Sequence, residues 1–217
     1  MARDTPLGFP AHTLPYRRGD FTTLSTVSSV RGFPRTLFRS PHRLAGTGSP
    51  SLRFALYDRR AAVLYAHRWA YGRNPAFYDY EHLGGDCTNF ASQCIYAGSG
   101  VMNFTPTFGW YYIDPDQKAP AWTGVPYLYN FLVREEKTEG PAARPCELGD
   151  LRPGDLIQFS FDGEIFRHTP VVVSVGWPVT PENVLVAAHS YDADNRPLST
   201  YSYQDIRFLK IFGVWHP

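Results

Sequence analysis

The stretch Gly84-Gly85-Asp86-Cys87-Thr88-Asn89-Phe90-Ala91-Ser92-Gln93-Cys94 sets a cysteine where a glycine-rich turn passes into a helix. From Cys87 onward, Phe90, Ala91, Cys94 and Ile95 recur at i+3, i+4, i+7 and i+8, the spacing of one helical face turned to an interior. Gly98-Ser99-Gly100 predicts where that helix stops. Asp86 is the predicted N-cap, with its carboxylate accepting from the N–H of Thr88 or Asn89. The N–H groups of a first helical turn have no intrahelical partner, and the macrodipole adds partial positive charge there. A thiol at that position is therefore drawn toward the thiolate, against which the Asp86 charge works. Cys87 is the first candidate nucleophile. Cys94, two turns further in, reads as packing, and Cys146, in a proline-rich loop, as incidental.

Upstream, Tyr57-Asp58-Arg59-Arg60-Ala61-Ala62-Val63-Leu64-Tyr65-Ala66-His67-Arg68-Trp69-Ala70 reads as an amphipathic helix with Ala62, Tyr65, Ala66 and Trp69 along its core stripe. Asn74-Pro75 closes the segment. Downstream come Trp110-Tyr111-Tyr112 and Trp122, which either line a cleft or fill the core, and a short helix over residues 125–133. Past residue 150 the period becomes extended. Leu151-Arg152-Pro153-Gly154-Asp155 is turn chemistry. Residues 156–161, 171–175, 184–188 and 207–215 read as strands. Helices first and antiparallel strands after predict an α+β fold, with N-terminal helices packed on a small antiparallel sheet.

The chain has 217 residues and a net charge of +1 that conceals an asymmetry. Residues 1–50 carry seven arginines against Asp4 and Asp20, a surplus of +5 that leaves the remainder at −4. This basic leader lacks sustained periodicity and predicts disorder, with the folded domain spanning residues 51–217. It has no lysine-rich block and no interleaved aromatics, so no nucleic-acid partner is expected. No apolar run approaches the roughly 20 residues of a membrane span, and the N-terminus has neither the apolar core nor the cleavage pattern of a secretory signal. That pattern favours a cytoplasmic address. The three cysteines include no C-x-x-C pair and predict neither a disulfide framework nor a zinc site, even with His82 nearby.

A cysteine nucleophile needs a base, and the base needs an orienting group. His168 precedes one valine strand and His189 follows the next. A hairpin through Gly176-Trp177-Pro178-Val179-Thr180-Pro181 sets the start of the first strand beside the end of the second, bringing the two histidines together. Cys87 is then the expected nucleophile and His168 the expected base. Either His189 or Asp192 is the orienter. Asp86, Asn89 and Trp110 are the candidate substrate-binding residues, and the backbone N–H of Cys87 is an expected oxyanion donor.

Residues 57–75 and 84–94 resemble the bacterial putative amidase domain family of the papain-like superfamily, whose relatives include NlpC-like cell-wall peptidases and CHAP amidases. Later pieces follow the family's order: Trp110-Tyr111, Ala121-Trp122, residues 151–157, His168 before a valine strand, and Ala188-His189-Ser190-Tyr191-Asp192. The resemblance covers about residues 55–215. It implies a papain-like fold and a cysteine amidase or peptidase working through an acyl-enzyme without a cofactor. It also implies His189 as the third polar residue, and a peptide or amide substrate of the cell-wall, peptidoglycan type. An acyltransferase and a non-catalytic binding module are the alternatives on the same scaffold. Pro170, two residues past His168, removes a ladder donor and predicts a sheet edge there. Catalysis predicts alkylation of Cys87 with an inflection below the ordinary thiol value of about 8.5.

Overall fold

The computed structural model describes residues 51–217. The leader assigned to residues 1–50 lies outside the described residues. The described chain is α+β, with an antiparallel sheet of eight strands and four short to medium helices. In chain order these are β1 (Arg53–Ala55), α1 (Arg59–Trp69), α2 (Cys87–Ser99), α3 (Pro120–Thr123), α4 (Val125–Leu132) and β2 (Gly140–Cys146), followed by β3 (Leu156–Ser160), β4 (Phe166–His168), β5 (Val171–Val175), β6 (Val184–Ala188), β7 (Ala193–Pro197) and β8 (Asp205–His216). The sheet runs β1-β8-β3-β5-β6-β7, with β2 on β8 and β4 on β3.

Helix α1 starts where Asp58 caps it, its carboxylate accepting from the Ala61 N–H at 2.9 Å, a contact worth about 1 kcal/mol. Ala62 and Ala66 are fully buried, with Tyr65 and Trp69 packed beside them. The helix ends at Trp69, several residues before Asn74-Pro75, and a turn covers the difference. Helix α2 runs two residues past Ala97 and stops at Gly100, which is left-handed (φ 67°) and donates to the Tyr96 carbonyl. It is buried nearly all round, so the expected single apolar face understates its position. Its polar residues face other buried groups. Ser92 Oγ accepts from Trp110 Nε1 at 3.0 Å and donates to the Trp122 carbonyl, while Asn89 Oδ1 accepts from Trp122 Nε1 at 2.9 Å.

The sheet is covered on both faces, and the alternation of its strands says which residue goes where. Leu156, Val171, Val173, Ala187, Leu209 and Ile211 join the helices in the main core. Ile157, Phe159, Val172, Val184 and Val186 form a second core with Leu151 and Leu198 on the other face. Strands buried on both sides read as continuous apolar runs, as the valine-rich segments do. The hairpin of β5 and β6 is antiparallel, with Val171 opposite Ala187 and Val175 opposite Val184.

Pro170 does not mark a sheet edge. Strand β5 lies inside the sheet between β3 and β6. The proline instead divides β4 from β5, since it offers no N–H to β3, while its carbonyl still accepts from Ile157 at 3.0 Å. Cys146 ends β2 rather than lying in a loop.

Candidate active site

Cys87 is the first residue of α2, behind a turn in which Gly84 and Gly85 both hold positive φ (103° and 100°). Glycine at 85 also answers a close approach: a Cβ there would meet Ser190 Oγ at 3.0 Å. Ser190 follows His189 directly after β6, and Ser190 and Tyr191 are themselves left-handed (φ 58° and 77°). Ser190 Oγ accepts from the Asp86 N–H at 2.8 Å and donates to Glu81 at 3.1 Å. The end of β6 is thus tied to the residue preceding the thiol.

Asp86 stands at the N-cap position but makes no cap hydrogen bond. Its carboxylate is fully buried. One oxygen accepts from the Tyr80 N–H at 2.9 Å and from Asn89 Nδ2 at 2.8 Å, and the other faces His189 Nδ1 at 2.5 Å. A buried carboxylate takes the strongest donors within reach, and here these come from the tertiary fold rather than from the first turn. His189 is stacked on Phe90 with ring centroids 4.0 Å apart, and its Nε2 lies 2.8 Å from the Trp69 carbonyl. Both ring nitrogens are engaged elsewhere, and no hydrogen bond joins His189 to the His168 ring among the described residues. Asp192 is paired with Arg73 at 2.9 Å.

The structure places the three expected substrate contacts away from the surface of the cleft. Asp86 and Asn89 are buried behind Cys87, binding one another. Trp110 is fully buried in the core, 4.9 Å from Trp122 between ring centroids. The large aromatic faces need burial, and α2 supplies acceptors for their indole N–H groups.

Cys87 and His168 do line one cleft, of about 470 Å³, together with Gly84, Gly85, Arg196 and Tyr201 among others. His168 ends β4 opposite Phe159 in β3, and its ring packs against Phe159 and Tyr201 with centroids about 6 Å away. No hydrogen bond joins Cys87 Sγ to the His168 ring among the described residues. The thiol points instead at the Arg167 carbonyl, 3.7 Å away, with the Thr88 hydroxyl at 3.8 Å. Burial pushes the Cys87 thiol up. N–H groups of Thr169 and Thr88 and the Thr88 hydroxyl work against that rise, and the Asp86 charge adds to it. Burial also lowers His168 to about 4, assisted by the Arg196 charge. The resting pair is therefore a neutral thiol beside a neutral imidazole, where the helix start alone predicts a thiolate. Burial is the largest influence on the thiol, with Cys87 only 7% exposed.

Two residues around the site carry little signal in the sequence. Arg73 lies 2.9 Å from Asp192, 3.3 Å from Asp79 and 3.7 Å from Asp86, knitting the turn before α2 to the loop after β6. A lone cation ahead of a run of acids was its only trace. Arg196 arrives through the pairing of β7 with β6, which no local pattern announces.

Residues 56–212 match the family described as "Putative amidase domain", and the chain belongs to that family. The uncharacterized protein YhbB of Bacillus subtilis (strain 168) is similar to it, with 35% identity over 152 residues, 69% of this chain and 45% of the relative. The chain therefore spans less than half the length of that curated relative. No solved structure matches it. Among the described residues no helix is long and apolar enough to cross a membrane, and no group of three or more His, Cys, Asp and Glu residues is placed to hold a metal ion.

Proposed function

We propose that this domain is a papain-like cysteine amidase or peptidase that cleaves an amide through an acyl-enzyme on Cys87, with His168 as general base and acid. The observation that carries the reading is the convergence of α2's first residue and β4's last on one cleft. In the acylation step His168 takes the Sγ proton as sulfur attacks the carbonyl carbon. The oxyanion forms beside the Cys87 N–H, which has no hydrogen-bond partner among the described residues. His168 then gives the proton to the departing amine, leaving a thioester. Water, deprotonated by the same imidazole, attacks the thioester and releases the acid, restoring thiol and base. Asp86 and His189 are positioning residues: they hold the start of α2 against the end of β6 and touch no reacting atom.

A thiol that donates to the Arg167 carbonyl must rotate toward His168 before attack, so His168 acts as base during bond formation rather than from a standing ion pair. The substrate class we infer is peptide of the bacterial cell-wall type, supported by the family's likeness to NlpC-like and CHAP amidases.

The test is incubation of bacterial peptidoglycan stem peptides with the wild type, Cys87→Ala and His168→Gln, followed by mass spectrometry of products. Wild type is expected to release one new amine per cleaved amide, and each variant to lose at least roughly a thousandfold in rate. Full hydrolysis by Cys87→Ala would overturn the mechanism. Added hydroxylamine separates the acyl fates: trapping as hydroxamate in place of acid shows the thioester, and exclusive transfer to amines even in water assigns an acyltransferase.

A further inference from the structure

The cleft around Cys87 is charged on one side only. Two arginines, Arg167 and Arg196, lie among its lining residues and no aspartate or glutamate does. Arg167 is paired with Asp162 at 3.0 Å, outside the cleft. Arg196 has no carboxylate within ion-pair distance among the described residues. Its Nε and one Nη are held by the hydroxyl and carbonyl of Thr200, at 2.8 and 3.0 Å, and its guanidinium lies over the Tyr201 ring at 3.9 Å. These neutral partners fix the orientation of the fork and leave both its charge and its second Nη uncompensated. A guanidinium preoriented in this way, with a face on an aromatic ring and an open donor edge, is built to take a carboxylate.

We propose that Arg196 is a specificity-determining residue that binds a carboxylate of the substrate close to the scissile amide, so that the preferred substrate is an acidic peptide or amide. The assignment rests on the cleft being that of the Cys87 nucleophile. It has a catalytic consequence. The Arg196 charge disfavours protonation of His168, and a bound carboxylate cancels that charge. An acidic substrate therefore makes His168 a better acceptor of the Cys87 proton at the moment it is needed, whereas a neutral one does not.

Iodoacetate and iodoacetamide differ in their carboxylate and amide, and both alkylate thiols with loss of iodide. Their rate ratio at Cys87 reports the anion site. Measured on the full chain by mass spectrometry, with glutathione as reference, the iodoacetate-to-iodoacetamide ratio is expected to exceed the reference by about tenfold. The excess should vanish in Arg196→Ala, persist in Arg196→Lys, and shrink as salt is added. An equal ratio for Cys87, the Arg196→Ala variant and glutathione would overturn the proposal while leaving Cys87 reactive. A Cys87 inert to both reagents would instead overturn the nucleophile assignment. The anion site is then decided by NMR titration with N-acetylglutamate against N-acetylglutamine: selective binding of the former that is lost in Arg196→Ala supports it, and indifference to the two ligands overturns it.

Discussion

Asp86 concentrates the difference between local and tertiary chemistry at the residue scale. As a helix cap it would stabilise by about 1 kcal/mol. As the fully buried acceptor of donors from Tyr80, Asn89 and His189 it is worth more, because removing it leaves the Tyr80 N–H and the His189 Nδ1 without a partner and Asn89 Nδ2 with only the Tyr78 carbonyl. Asp86→Ala is expected to lower unfolding stability in urea by about 3–5 kcal/mol. Asp192→Ala breaks a part-exposed pair with Arg73 and should cost under about 1 kcal/mol. A small loss at Asp86 would show that its carboxylate is not the anchor of the helix start. The two acids lie in similar polar contexts along the chain, so burial, which the sequence does not display, separates them.

At the scale of elements, Gly98 illustrates how a residue can be assigned a plausible but incomplete role. Read as part of a helix stop, it lies inside α2, where a Cβ would approach the Tyr57 ring to 2.4 Å and the Asp58 carbonyl to 2.7 Å. It is what lets the residues opening α1 lie against α2. Gly98→Ala is expected to destabilise by about 1–3 kcal/mol through overpacking, whereas Gly149→Ala, which meets open space, should leave the urea midpoint unchanged within error. Equal midpoints for the two variants would refute the packing role. Strand β2 was hidden for a related reason. Its sequence Gly-Pro-Ala-Ala-Arg-Pro-Cys has neither alternation nor β-branched residues. It pairs with β8 on one side only, and an edge position tolerates prolines that a central strand would reject. Helices α1, α2 and α4 and strands β3, β5, β6 and β8 were legible because their apolar spacing is set by burial against a layer, the same pressure that orders the fold.

At the scale of the molecule, an acid-sensitive element lies between the cleft and the second core. His168 lies over Phe159 with its proton affinity lowered to about 4. Its folded-state value is below that of the unfolded chain, near 6.5, so between those values the unfolded state binds the extra proton. Stability contributed by the neutral ring is complete above about pH 6.5 and is lost as pH falls toward 4, by up to about 3 kcal/mol. Asp155, whose carboxyl burial raises, drives the opposite trend in acid, so the wild type is compared with His168→Gln. The difference in urea midpoint between them should vary across pH 6.5 to 4, and a constant difference would show that His168 titrates normally. On the proposed mechanism, with His168 as base, the acid limb of kcat/KM is expected near pH 4, and a limb near pH 6.5 in a pH–rate profile would contradict it.

By itself the sequence determined that a cysteine opens a helix with an apolar face, that helices come before most strands of an antiparallel sheet, and that His168 and His189 flank paired strands, because each follows from spacing along a few neighbouring residues. Only the tertiary structure decided what those groups do to one another. It turned His189 and Asp86 toward each other and away from the cleft, placed Trp110 and Asn89 in the core, set Pro170 in the middle of the sheet, and brought Arg196 beside His168. Hydrogen-bond partners and desolvation are set by what lies across space from a residue, and in this chain the decisive contacts join positions about a hundred residues apart, as between Asp86 and His189.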